Sequence, residues 1–319
     1  MRYTRLGPSG PVVSAIGLGS LALSGHYGRV DPAEAERVVR RALDAGVTLL
    51  DTADFYSAGR VETLIGRAVA GRADQVVVST RGGVRVLGPH GPVVFDARPE
   101  LLEQACDASL RRLRTDCIDL YYLHCHDQVP VEAGMARLAE LVRAGKIRHV
   151  GLSGGTPEQI RRAHAVHRLC AVGVEYSLWG RLPAPELLDT ARELGIAVVA
   201  ARPLGRGFLT GRMRRQASLV PSDWRHADPR FGPEHRHSGA GRLRALESVA
   251  AQLDLGTGRL ALSWLFSRGE HVVPVPSTRD QVHLEMNLAA ASVSLSRETV
   301  GKLDRLLPSR AGQSPSPLL

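Results

Sequence analysis

Apolar runs of strand length alternate along most of this chain with longer stretches in which apolar residues recur every three to four positions, the spacing of a helix that buries one face. Strands are predicted at Ile16 to Leu18, Thr48 to Asp51, Gln75 to Thr80, Ile118 to His124, His149 to Leu152, Val172 to Val174, Ala197 to Ala200 and Val272 to Val275. Before them, Tyr3 to Arg5 is expected to pair with Val12 to Ser14. The first helix is announced by Asp31-Pro32, a capping side chain followed by a proline that needs no N–H at the first helical position. Ala35, Val38, Val39, Ala42 and Leu43 then line one face, and Gly46 ends it. Comparable patterns occupy Val61 to Ala70, Pro99 to Leu113, Val131 to Ala144, Pro157 to His167 and Pro185 to Leu194.

A strand followed each time by a helix implies a parallel sheet, and eight such units close as an α/β fold of the TIM (β/α)₈ barrel type. An open doubly wound sheet is the alternative, but no G-x-G-x-x-G follows the first strand. Gly82 to Arg98 and Gly211 to Gly239 are too long for simple connections and are expected to shape the mouth of the barrel. Residues 1–307 are read as one domain, and the Ser- and Pro-rich residues 308–319 as a weakly ordered tail.

Composition removes several classes of function. No window approaches the roughly 18 to 20 uninterrupted apolar residues of a membrane span, so no membrane partner is expected. Cys106, Cys117, Cys125 and Cys170 lack metal-ligand spacing, and the first residues lack the apolar core of a secretory signal, which together favour a cytoplasmic location. The formal charge of +9 invites a nucleic-acid partner. However, the arginines are scattered over many helices rather than gathered in one stripe, so none is assigned. Lys146 and Lys302 are the only lysines among 41 basic residues. His124 and His126 are two apart on a strand end, but without a third ligand they define no metal site.

In a barrel the residues just beyond the C-terminal strand ends face the mouth, so Asp51, Tyr56, Arg81 and His124 are expected to converge there. A carboxylate, a phenol, a fixed cation and an imidazole form a set able to move a proton, with Tyr56 as the acid or base.

The stretches SAIGLGSLALSG, GVTLLDTADFY, IDLYYLHCHD, KIRHVGLS, VEYSLWGR, PLGRGFLTG and VPVPSTR follow one another in an order that resembles the aldo-keto reductase family over nearly the whole chain. The resemblance implies a reductase in which Tyr56 donates a proton to a carbonyl that takes hydride from NADP(H), with Asp51 and His124 at two more catalytic positions. Arg81 stands where the family has lysine; it keeps the charge but is planar, forked and unable to carry a proton. By the same resemblance, Ser153, Gly205, Arg206, Gly207, Ser277, Thr278, Arg279 and Asn287 would bind the cofactor. Met286 replaces a usual glutamate.

The nicotinamide end departs from the family. Gly154 and Gly173 replace its asparagine and glutamine, and Ala201-Arg202 replaces the segment that carries its stacking tyrosine. Those losses remove groups that aim the hydride, while Arg202 adds a charge that opposes an oxidised nicotinamide and suits an anion. Trp179 falls in a segment that lines the mouth in the family. Three readings follow: reduction of a small-molecule aldehyde or ketone; a non-redox enzyme (dehydratase, lyase, isomerase or cyclase) using Tyr56, His124 and Arg81 on an anionic substrate; or a non-catalytic subunit that retains the nucleotide site. Oligomeric state is not encoded in any of these features.

Overall fold

A computed structural model describes residues 1–87, 93–125, 130–179, 185–212, 219–221 and 223–307. The anticipated N-terminal pair forms as β1 (Tyr3–Arg5) antiparallel to β2 (Val12–Ser14). Among the described residues eight strands then pair in parallel: β3 (Leu18–Gly19), β4 (Leu49–Asp51), β5 (Val77–Gly82), β8 (Ile118–His124), β9 (Ile147–Ser153), β10 (Leu169–Glu175), β11 (Ala197–Ala201) and β12 (Val272–Val275), each beside the next. The first meets the last. The Gly17 N–H donates to the Pro274 carbonyl at 3.0 Å, the Gly19 N–H donates to the Pro276 carbonyl at 3.0 Å, and Gly19 bridges Ser277. The ring is therefore closed, as the TIM barrel reading expected.

Helices pack around the ring: α1 (Pro32–Asp44), α2 (Arg60–Ala68), α3 (Pro99–Leu113), α4 (Val131–Arg143), α5 (Pro157–Val166), α6 (Pro185–Glu193), α7 (Pro233–Gln252), α8 (Thr257–Phe266), α9 (Gln281–Leu288) and α10 (Arg297–Leu306). Local chemistry explains their starts. Asp31 caps α1 by accepting from the Ala33 N–H at 2.8 Å. Thr156 and Gln159 form a reciprocal capping box on α5, which satisfies two otherwise orphaned donors. None of the described helices is long and apolar enough to cross a membrane.

The first barrel strand spans Leu18–Gly19 rather than Ile16 to Leu18, although the Gly17 N–H already bonds the last strand at Pro274. The two long connections carry more structure than their composition implied. Gly82 to Arg98 contains the antiparallel pair β6 (Val84–Val86) and β7 (Val93–Phe95). Gly211 to Gly239 contains 3₁₀ turns at Trp224–Ala227 and Pro229–Phe231, followed by the first residues of α7. Asp223 and Asp228 cap those turns from their side chains, a local effect that apolar periodicity does not register. The simple alternation of one helix per strand also fails late in the chain, where both α7 and α8 lie between β11 and β12. The tail 308–319 lies outside the described residues.

Strand periodicity sorts the side chains into two cores. Leu50, Val78, Tyr121, Leu123, Val150, Leu152, Val172, Val198 and Val272 face the helices, whereas Leu49, Leu120, Tyr122, Ala171, Ala197, Val199, Val273 and Val275 fill the lumen. Leu6 and Val13 from the N-terminal pair join the lumen cluster. Within it, the backbone of Gly151 lies against the Tyr122 ring. A Cβ at that glycine would sit 2.5 Å from Tyr122 Cδ1 and 2.9 Å from the Ala171 carbonyl oxygen. Gly151→Ala therefore overpacks the lumen and should cost about 1–3 kcal/mol, measurable as a lowered Tm. An unchanged melt would show that the ring has room to move.

Candidate active site

The alternation that fills the lumen also builds the site. Stepping by two from Leu49, Ser79, Tyr122 and Gly151 reaches Asp51, Arg81, His124 and Ser153, one lumen-facing residue at the C-terminal end of each of four neighbouring strands. Asp51, Arg81 and His124 are buried, and Ser153 is 8% exposed. Tyr56 joins them from the turns after β4, where the chain passes through left-handed conformations at Ser57 and Ala58.

Arg81 takes the aspartate-facing position expected of it and also reaches beyond it. Its Nη2 donates to both carboxylate oxygens of Asp51 and its Nε donates to the Thr52 carbonyl at 3.0 Å. Its Nη1 donates to Ser153 Oγ at 3.5 Å. Asp51 also accepts from Ser79 Oγ at 2.8 Å, and the guanidinium lies 5.3 Å from the centre of the Tyr122 ring. Burial raises the Tyr56 pKa even though the Arg81 charge pulls it down, so the phenol keeps its proton. Burial, then the charges of Arg81 and Arg202, hold His124 well below the ordinary imidazole value. The ring is therefore neutral, and its Nε2 has no partner.

One cavity of about 1110 Å³ connects these groups to the other set predicted from the sequence, which includes Ser277, Thr278, Arg279 and Asn287. It exceeds the ~300–1,000 Å³ of a typical small-molecule site. Ser277 Oγ accepts from the Ala22 N–H at 2.5 Å, and Arg279 Nη1 donates to the Gly28 and Arg29 carbonyls, each at 2.9 Å. Gly154 and Gly173 line the same cavity. Cβ atoms there would meet only ordinary contacts, 3.9 Å and 3.6 Å at nearest, so the missing amide side chains leave open space.

Gly205, Arg206 and Gly207 form a left-handed turn, with φ of +57°, +57° and +90°. The glycines permit it, while Arg206 is held there by its side chain. That guanidinium, with no exposed surface, donates to Glu175 at 2.8 Å and to Asp228. It is thus committed to carboxylates, and the Gly205 and Gly207 N–H groups are committed too, donating to the Arg202 and Leu204 carbonyls at 2.9 and 3.1 Å. Trp179 stacks on Phe208 with centroids 4.3 Å apart and seats against Gly205, a packing role away from the cavity lining described. Arg202 lines the cavity.

Several site residues were not singled out from the sequence. Glu175 is two residues beyond Gly173, so the strand period alone points it to the lumen. Arg202, Arg206 and Arg230 all donate to it. Although burial opposes ionisation, these three charges bring its carboxyl down to about 2. Tyr27 lines the cavity from the loop after β3, where the Arg225 guanidinium lies 4.8 Å from its ring centre. The long segment before α7 supplies Leu219, Val220, Asp223 and Arg225 to the wall, and the β7 strand supplies Phe95, as expected for both long connections. Among the described residues no group of three or more His, Cys, Asp or Glu is placed to hold a metal ion; His126 lies outside them. The four cysteines form no disulfide with one another.

Comparison with known proteins places this geometry. The model of the Aldo/keto reductase family matches residues 15–308. A glycerol dehydrogenase from Gluconobacter oxydans superposes with a TM-score of 0.87 at 28% identity, covering 99% of this chain and 98% of that one. The holo form of an aldo-keto reductase from Bacillus halodurans superposes with a TM-score of 0.81 at 26% identity, covering 97% of each chain.

Two residues before Tyr56 lies a second acidic group, Asp54. Glu62 is fully buried, accepting from Thr80 Oγ1 at 2.6 Å and Arg112 Nε at 2.6 Å. Asp54 Oδ1 has no partner. Burial first, and then the Glu62 charge, push its carboxyl up to about 8. The unfolded chain releases this proton near pH 4, whereas the native state holds it to about 8, so stability from this group falls as pH rises between those values. Asp54→Asn should therefore gain Tm relative to the parent as pH is raised from 5 to 8. A constant difference across that range would mean that Asp54 ionises normally.

Proposed function

The chain belongs to the aldo/keto reductase family, and we propose that it is an NADP(H)-dependent enzyme that reduces a small-molecule aldehyde or ketone, or oxidises the corresponding alcohol. The observation that carries this reading is the single cavity running from Tyr56, His124 and the Asp51–Arg81 pair to Ser277, Thr278, Arg279 and Asn287. Its size suits a long dinucleotide with a small substrate beside Tyr56. The oxidoreductase named for the Gluconobacter neighbour, a glycerol dehydrogenase, fits a carbonyl and alcohol pair of this size.

The fit to the cofactor is uneven along the cleft. At the phosphate end, Ser277 and Arg279 would supply a hydroxyl and a guanidinium, with Thr278, Asn287 and the Gly205-Arg206-Gly207 turn shaping the wall around the dinucleotide. At the nicotinamide end, Ser153 is the retained polar side chain, and Gly154 and Gly173 contribute room. When bound, NADPH supplies the hydride that reaches the carbonyl carbon.

The chain's own residues supply the proton and the field. Tyr56 donates its phenolic proton to the carbonyl oxygen as that oxygen gains charge. The neutral His124 imidazole, with its unpartnered Nε2, orients the same oxygen. Arg81 is fixed by Asp51 and Thr52 and cannot give up its proton, so it lowers the cost of the phenolate left behind without entering the proton transfer. Residues 1–307 act together in this reading as one domain.

Tyr56→Phe should lower the NADPH-dependent reduction rate by about 10²–10⁴-fold while NADPH still binds, followed by absorbance at 340 nm and by nucleotide fluorescence. Failure of the parent protein to bind NADPH, or conversion of substrate to a product of unchanged oxidation level without nucleotide, would overturn the proposal in favour of hydride-free chemistry.

A further inference from the structure

Charge is distributed unevenly along the cavity. At the far end Arg212, Arg259 and Arg279 line it with no acidic neighbour in the lining, as a ligand with several phosphates requires. The reaction end is different. There Asp51 answers Arg81, and Asp223 answers Arg225. Glu175 and Asp228 are shared among Arg202, Arg206 and Arg230. Among the described residues, five guanidiniums at this end face four carboxylates.

The three arginines on Glu175 are not equivalent. Arg206 and Arg230 approach it to 2.8 and 2.6 Å and also contact Asp228. Arg202 approaches it at 3.1 Å through Nη1. Arg202 lines the cavity, whereas Arg230 does not. The backbone of Arg202 is left-handed, with φ of +49°, in a residue with a full side chain. Such a conformation is held only where the surroundings fix it. Here the carboxylate of Glu175 and the ring of Trp224, 5.7 Å from the guanidinium carbon, set the side chain at the cavity wall. Its charge acts on Tyr56, His124, His26 and Tyr27, which places it in the same chamber as the proton-transfer groups.

We propose that Arg202 is a specificity-determining residue that binds an anionic group on the substrate, so that the preferred substrate is a carbonyl compound bearing a carboxylate or a phosphate monoester. This rests on the reductase reading of the site and adds its substrate class. The space above Gly154 and Gly173 admits the extra bulk, and a desolvated guanidinium recognises either anion with two parallel hydrogen bonds.

The test compares 4-formylbenzoate, 4-formylphenyl phosphate and the neutral methyl 4-formylbenzoate as substrates with NADPH. In the parent protein kcat/KM for at least one anionic aldehyde should exceed that for the ester by about 10–100-fold, the scale of one charged hydrogen-bonded contact; which of the two is preferred identifies the anion. Arg202→Gln should collapse that ratio mainly through KM, and Arg202→Lys should restore part of it. Arg230→Gln removes another Glu175 partner and should keep the preference. If Arg230→Gln and Arg202→Gln lose it equally, Arg202 acts only by holding Glu175 and the proposal fails. It fails equally if the parent shows no preference or if Arg202→Gln retains it. Calorimetry with the same aldehydes separates this from failure of the reductase reading. Binding of an anionic aldehyde that Arg202→Gln abolishes, with no turnover, would support the anion site and reject reduction. Absence of such binding in the parent, with no turnover, would reject both.

Discussion

A closed ring of parallel strands gives each strand only alternate residues with which to fill the lumen, and the rest of this protein is arranged around that restriction. The residues that reach the lumen at the lower levels are mostly apolar, and the same rows end at Asp51, Arg81, His124, Ser153 and Glu175. A shift of one residue in any strand would turn its chemical group outward among the helices. Packing and chemistry thus share one register. It is held by the Gly17 and Gly19 bonds to the last strand and by close contacts such as Gly151 on Tyr122.

At the top of the ring the constraint becomes electrostatic. Charges taken out of water must be paired and hydrogen-bonded, and breaking such a pair typically costs about 3–5 kcal/mol. Arg81 meets this by distributing its donors over Asp51, Thr52 and Ser153, an arrangement that a lysine's single ammonium would not reproduce. The guanidinium therefore links Asp51 and Thr52 to Ser153, next to Gly154. Across the chamber, Glu175 and Asp228 gather Arg202, Arg206 and Arg230.

That second cluster also fixes the upper wall. Asp223 and Asp228 cap their own short turns while binding arginines, so local backbone and long-range charge are satisfied by the same carboxylates. Trp224 receives the Arg206 guanidinium at 4.5 Å from its ring centre, and its backbone N–H donates to the His26 carbonyl at 3.1 Å. Arg279 binds the carbonyls of Gly28 and Arg29 in the same loop. The loop after β3 is thereby connected to both ends of the cavity.

By itself the sequence determined the barrel, because apolar alternation at strand period and helix period is a local signal that survives without any long-range information. It also put Asp51, Arg81 and His124 at the ends of neighbouring strands. It did not reveal Glu175, which lies one residue beyond the predicted strand Val172 to Val174, because a lone glutamate at a strand end reads as an exposed charge. Nor did it reveal that Arg206 is consumed by carboxylates while Arg202 faces the cavity, or that Trp179 packs beneath the turn. Residue type and spacing say that an arginine is present. Which carboxylate it meets depends on separate segments being brought together, as when the pairing of β10 with β11 sets Arg202 beside Glu175, and only the tertiary structure decides that.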